Sequence, residues 1–262
     1  MIPLDAGSRA LVAEVRALGE QYMRPMGLEA DRTGEPPPAD HPFYLICARR
    51  GGLVSREIGA GESDGDPAAL SWKPLRALLT AEESAYWDRG VALSLPGPGL
   101  GGVALRSMAT PEQRERFLRP FADHSRARWG AMALTEPAAG SDVARITTRA
   151  RRDGDGWVLR GQKMFCSNGH RADWVVVWAT VDPELGRDGH RAFVVERGTP
   201  GFELLRIEHK MGSRGYETAS LALDDVAVPA ENLLGGEAFY ASRRGFKGAM
   251  ATFNLTRPIH AA

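Results

Sequence analysis

The chain has 262 residues, enough for one large domain or two ordinary ones with a substantial core. Its 33 Lys+Arg balance 33 Asp+Glu, so no global field recruits nucleic acid or an anionic membrane, and neither partner is expected. Cys47 and Cys166 lie far apart in apolar runs without zinc spacing, and no stretch reaches the roughly 18 apolar residues of a membrane helix, so a cytoplasmic protein in a reducing compartment is expected.

The first part reads as helices. Leu11, Val12, Val15, Leu18 and Tyr22 recur at helical spacing from Ser8 to about Met23, with Pro25 marking the end. Asp40 and Pro42 resemble a second helix start, running through Phe43, Leu45, Ile46 and Cys47 to a stop at Gly51-Gly52. Leu75, Leu78, Leu79 and Tyr86 suggest a third. At Thr110-Pro-Glu-Gln113, Thr110 can cap, Pro111 fits the first helical position and Gln113 can close a capping box. The Pro- and Gly-rich stretches near 33–38 and 61–66 read as loops.

Near Arg128 the period changes. WGAMAL, GWVLRGQKMF, DWVVVWATV, RAFVVERG, FELLRIE and SLALDDVAV are short apolar runs separated by turn clusters such as Asp153-Gly-Asp-Gly156 and Thr199-Pro-Gly201. Six or seven strands with no helices between them predict an antiparallel β-barrel or sandwich. After Pro229 and Gly235-Gly236, Phe239, Phe246, Met250 and Phe253 follow a helical pattern that is still running at Ala262. The expected class is α+β. An N-terminal all-helical domain spans 1–127 and an antiparallel β domain 128–235, and 236–262 starts a truncated C-terminal helical domain.

Several candidate motifs are bland on inspection. Gly97-Pro-Gly-Leu-Gly-Gly102 satisfies the dinucleotide fingerprint, but a capped helix follows where a βαβ unit is needed, so a loop between two helices is the better account. The six histidines show no metal-binding spacing, and Ser141 has no nucleophile-elbow setting. Arg149, Arg151 and Arg152 read as a solvated hairpin arm. Two stretches look like binding surface: Leu134-Thr-Glu-Pro-Ala-Ala-Gly-Ser-Asp-Val-Ala144, and Lys163-Met-Phe-Cys-Ser-Asn-Gly169, where a ring, a hydroxyl and an amide end a strand together. A stacking face beside hydrogen-bond donors suits a flat heteroaromatic cofactor.

MALTEPAAGSDVA, GQKMFCSNG, KMGSRGYETASLALDDVAVPAENLLG and GFKGAMATFNLTRP together resemble, in order and spacing, the flavin-dependent acyl-CoA dehydrogenase family. The resemblance covers essentially the whole chain. It implies FAD lying along Met132 to Ser141, with Leu134 and Thr135 hydrogen-bonding the isoalloxazine edge and Ser141 contacting acyl-CoA. It places Phe165 where a tryptophan usually packs on the flavin and Ser167 where a threonine lies near N5, with Cys166 between them in the same cofactor-binding stretch. Ala138 stands where many relatives have glycine. Asn254 to Arg257 match a segment that touches CoA, with Asn254 and Arg257 as substrate-binding residues, although Asn254 replaces a common aspartate.

The implied reaction is α,β-dehydrogenation of an acyl-CoA thioester to trans-2-enoyl-CoA, with electrons passing to an electron-transfer flavoprotein and the chain working in a homo- or hetero-oligomer. The family's glutamate base lies late in the C-terminal domain or, in a minority, at the position matching Thr256, and a threonine cannot serve. No catalytic residue is therefore assigned. Three readings follow: a dehydrogenase needing a second chain or a further C-terminal half, a non-catalytic FAD- or acyl-CoA-binding subunit, or a flavin oxidase or monooxygenase of the same superfamily.

Overall fold

The computed structural model describes residues 4–50, 73–241, 250 and 254. Helices come first: α1 (Ala6–Leu18), α2 (Arg24–Thr33), α3 (Pro42–Arg49), α4 (Lys73–Ser94), α5 (Gly99–Met108) and α6 (Pro111–Leu118). Seven strands follow: β1 (Gly130–Ala133), β2 (Arg149–Asp153), β3 (Gly156–Ser167), β4 (Trp174–Thr180), β5 (His190–Glu196), β6 (Phe202–Ile207) and β7 (Thr218–Val228). The short α7 (Gly236–Ala241) comes after them. The molecule is thus a helical bundle, then one curled sheet shaped as half a barrel, then a short helix, the α+β order read from the sequence.

The helical expectations hold where the signals are local. Thr110 accepts from the Gln113 amide while the Gln113 side chain accepts from the Thr110 amide, the predicted capping box opening α6. Pro25, by contrast, does not end a helix. The chain passes from α1 through a π-helical turn, Gly19–Met23, straight into α2, and Pro25, which has no N–H to give to the preceding turn, follows directly on that widened turn. The third helix is longer than its apolar spacing suggested, and it bends at Asp88, whose Oδ1 accepts from the Val91 amide at 2.7 Å.

The glycines of Gly97–Gly102 are mostly not loop. Helix α5 starts at Gly99, and the preceding Val91 to Ser94 is helical, so the strand that a dinucleotide fold needs is absent there. These glycines let α5 lie against β1: a Cβ on Gly101 would stand 2.3 Å from the Ala131 carbonyl oxygen and 2.6 Å from the Trp174 ring. The expected stop at Gly51-Gly52, the 61–66 loop and Phe246 and Phe253 lie outside the described residues.

In the sheet the strand order is β1-β4-β2-β3-β7-β6, with β5 also paired to β4. The pairs β2–β3, β3–β7, β4–β5 and β6–β7 are antiparallel as expected, whereas β1 runs parallel to β4, Gly130 opposite Trp174. The reason is topological: β1 leaves the sheet and the β2–β3 hairpin intervenes before β4 returns beside it. Strand β4, Trp-Val-Val-Val-Trp-Ala-Thr, is buried throughout, with Trp178 fully enclosed opposite Ala192 of β5. Both cysteines are free and buried; burial pushes the thiols of Cys47 and Cys166 up to about 12. Among the described residues no helix is long and apolar enough to cross a membrane, and no group of three or more His, Cys, Asp or Glu could hold a metal ion.

Candidate functional site

The two binding stretches singled out in the sequence meet where the chain leaving β1 passes beside the last residues of β3. Three consecutive ties hold them. Cys166 Sγ donates to the Met132 carbonyl at 3.3 Å, Lys163 Nζ to the Leu134 carbonyl at 3.1 Å, and the Met164 amide to the Thr135 carbonyl at 2.9 Å. Beyond Thr135 the chain turns back through Pro137-Ala138, with Glu136 and Ala139 exchanging both backbone hydrogen bonds.

A buried ion pair anchors that turn. The Lys163 and Glu136 side chains are 0% and 2% exposed and 2.7 Å apart. One Glu136 oxygen also accepts from the Thr148 amide at 3.0 Å, and the other from the Thr147 amide and hydroxyl at 2.6 and 2.8 Å. Burial acts to raise the Glu136 carboxyl, but the Lys163 charge and these donors outweigh it and hold the group below its ordinary value. Burial likewise draws Lys163 down to about 8, with Glu136 opposing the fall. The two segments therefore share one electrostatic anchor at neutral pH. Neither residue was assigned a role from the sequence. Glu136 looked like a turn residue, and a lysine within a strand ordinarily points to water, so no local signal marked either as buried.

Past this anchor, β3 departs from register with β7 between Lys163 and Cys166. Phe165 sits in that irregularity at φ 56°, a left-handed conformation that an aromatic residue adopts only when the surroundings impose it. The residue is 57% exposed, an unusual position for so large an apolar group. Ser167 is exposed and Thr135 half-buried, and neither hydroxyl makes a hydrogen bond among the described residues. Met132 is half-buried and Leu134 buried. The outcome is an open ring face with two hydroxyls on a frame whose carbonyls are engaged from behind.

Of the remaining assigned residues, Cys166 belongs to the frame and not to its open face. Cys166 has its side chain turned inward onto Met132, so any contact with a ligand would come from its backbone. Ser141 lies on an exposed turn beyond the Glu136–Ala139 bridge, Asn254 is helical and exposed, and Arg257 is outside the described residues.

The turn after β3 is fixed to the helical bundle. Asn168 Nδ2 donates to the Leu93 carbonyl at 2.8 Å, and the buried Arg171 donates to the Pro37 carbonyl at 3.1 Å. Arg171 also pairs with Glu217 at 3.3 Å and lies 5.7 and 5.5 Å from the ring centroids of Tyr44 and Trp129.

Residues 131–226 match the family described as acyl-CoA dehydrogenase, middle domain. The butyryl-CoA dehydrogenase structure from Megasphaera elsdenii superposes with a TM-score of 0.79 at 33% identity, covering 98% of this chain and 64% of that one. This is an acyl-CoA dehydrogenase-family fold. Among curated relatives of this fold, cyclohex-1-ene-1-carbonyl-CoA dehydrogenase of Geobacter metallireducens is 48% identical over 199 residues, 75% of this chain and 51% of the relative. Cyclohexane-1-carbonyl-CoA dehydrogenase of Syntrophus aciditrophicus is 45% identical over 254 residues, 97% of this chain and 62% of the relative. The chain thus spans about half to three-fifths of the length of these acyl-CoA dehydrogenases. The middle-domain match contains the whole β1–β3 cluster from Met132 to Ser167, whereas Asn254 and Arg257 follow it in sequence.

Proposed function

We propose that this chain is the flavin- and thioester-binding part of an FAD-dependent acyl-CoA dehydrogenase. The observation that carries the reading is the exposed Phe165, held at φ 56° on a doubly anchored frame that also carries the hydroxyls of Thr135 and Ser167, neither of them hydrogen-bonded among the described residues. That arrangement suits a flat ring system with polar edges, which needs a face to stack on and donors at its rim. In this reading 1–127 is the N-terminal domain, 128–235 the flavin and acyl-CoA domain, and 236–262 opens a third.

FAD, when bound, supplies the hydride acceptor for the β carbon of the acyl thioester. The chain's own residues do the rest of the holding. Leu134 and Thr135 fix the flavin edge, with Met132 and the Cys166 backbone behind them. Phe165 packs on the ring system and Ser167 places a hydroxyl beside it, while Ser141, Asn254 and Arg257 bind the acyl-CoA. Glu136 is the carboxylate built into this frame, and it is unfit to take the α proton, because Lys163 and the Thr147 and Thr148 donors occupy it and stabilise its charged form. We therefore assign the base to a carboxylate from a further segment or a second chain, with an electron-transfer flavoprotein as the electron acceptor.

Titration of the chain with FAD tests the cofactor part. A complex with a resolved flavin spectrum is expected, and Phe165→Ala should weaken it by about tenfold, the scale of one well-placed aromatic contact. Failure of the wild-type chain to bind FAD, alone or with acyl-CoA present, would overturn the reading. The engagement of Glu136 favours one alternative, a subunit of the same fold that binds without turnover. Bleaching of the bound flavin by an acyl-CoA under anaerobic conditions excludes that alternative, and oxygen consumption would point instead to an oxidase or monooxygenase.

A further inference from the structure

The buried pair of Lys163 and Glu136 has two ends that are held differently. Glu136 takes donors from Lys163 Nζ at 2.7 Å, the Thr148 amide at 3.0 Å, and the Thr147 amide and hydroxyl at 2.6 and 2.8 Å. All but the first come from the segment just before β2, so the negative charge is drawn to that side. The Lys163 ammonium, fully enclosed, has the Leu134 carbonyl as its other acceptor at 3.1 Å. The positive end of the pair therefore rests on the peptide that joins Leu134 to Thr135.

That contact fixes a direction. The described residues contain no cis peptide bond, and in a trans peptide the carbonyl and the following N–H point opposite ways. With the Leu134 carbonyl held on the ammonium, the Thr135 N–H points away from the buried pair. Thr135 lies beyond the end of β1, and its amide makes no hydrogen bond among the described residues. The next carbonyl along, that of Thr135 itself, is held by the Met164 amide at 2.9 Å, so the peptide is gripped on both sides. The ammonium also draws electron density from the carbonyl it binds, and such polarisation makes the N–H at the far end of the same peptide a stronger donor. The frame thus carries an oriented, charge-polarised donor on a residue assigned above to the flavin edge.

We propose, resting on the flavin reading above, that Lys163 is a positioning residue that raises the reduction potential of the bound flavin by acting through the Leu134–Thr135 peptide. The polar rim of the ring system gains electron density when the ring accepts hydride, so a donor aimed at that rim counts for more in the reduced state than in the oxidised one. A lysine that only held the strands together would favour both states alike.

The test is the two-electron midpoint potential of FAD bound to the full chain, read against a reference dye at pH 7, below the value of about 8 to which burial draws Lys163. Lys163→Met combined with Glu136→Gln removes the charge without stranding its partner, and thermal melts check that the variant is folded. Reduced FAD should lose about tenfold more affinity than oxidised FAD in this variant, a fall in potential of about 30 mV for a two-electron couple. A second measurement needs no variant. In wild type carrying 15N-labelled threonine, the Thr135 amide proton should move downfield when FAD binds and again when the flavin is reduced. Equal loss of affinity for both oxidation states, or a Thr135 amide indifferent to reduction, overturns the role of Lys163 and leaves the flavin reading intact. Failure of the wild type to bind FAD strikes that reading first, and the role of Lys163 falls with it.

Discussion

A lysine ammonium cut off from water keeps its charge only where something nearby offsets the lost hydration, and Lys163 has Glu136 and the Leu134 carbonyl to do so. Removing one partner strands the other. Lys163→Met is expected to cost about 3–5 kcal/mol in urea unfolding, while Lys163→Met combined with Glu136→Gln should cost less than the sum of the two single changes, since no uncompensated charge remains. Glu136 also sets a pH dependence. Its native carboxyl lies below the ordinary 4.5, so its contribution is fully present above that value and is lost as pH falls through the native one. The stability gap between wild type and Glu136→Gln should therefore shrink on acidification below about 4.5, as measured by melts across that range. Phe165 and Ser167 could be singled out from the sequence because the ring and the hydroxyl sit two residues apart on one strand end. The ion pair could not, because its partners are 27 residues apart and a lysine in a strand carries no mark of burial.

Among the secondary-structure elements, the seam between α5 and β1 is a close backbone approach that a glycine makes possible. Gly101→Ala should destabilise the protein by about 1–3 kcal/mol, since the new methyl meets the Ala131 backbone and the Trp174 ring. Gly140→Ala is the matched control: nothing lies within 4 Å of its Cβ, so a neutral or slightly stabilising effect is expected in the same denaturation assay. The α6 capping box was readable because its signal spans four adjacent residues. The continuation of helix past Pro25 was not, because it depends on a π-turn at Gly19–Met23 that no apolar period announces. The parallel β1–β4 pair was hidden for another reason: strand patterns give the face of a strand and not the direction of its neighbour.

Across the whole molecule, bundle and sheet meet at Arg171, whose guanidinium pairs with Glu217 of the sheet side and reaches Pro37, Tyr44 and Trp129. Arg171→Ala leaves Glu217 buried without its cation, and should cost about 3–5 kcal/mol. Calorimetry is expected to show one transition for the wild type and a broadened or divided one for the variant, as the helices lose a shared contact with the strands. The order of helices, strands and final helix was plain from the changes of period near Arg128 and Gly235. How the two bodies clasp was not, because the contact runs between residues more than a hundred positions apart, as from Arg171 to Pro37.

The bond from the Met164 amide to the Thr135 carbonyl has a consequence for solvent exchange. Met164 lies in the stretch where β3 breaks register with β7, and amides in such irregularities ordinarily trade their protons with water quickly. Here the proton is held across the turn by a different strand's end, so it leaves only when β1 and β3 separate. In deuterium exchange this amide acts as a clock for the opening of the whole cradle, ticking at the rate at which the ring face of Phe165 and the hydroxyls of Thr135 and Ser167 part company.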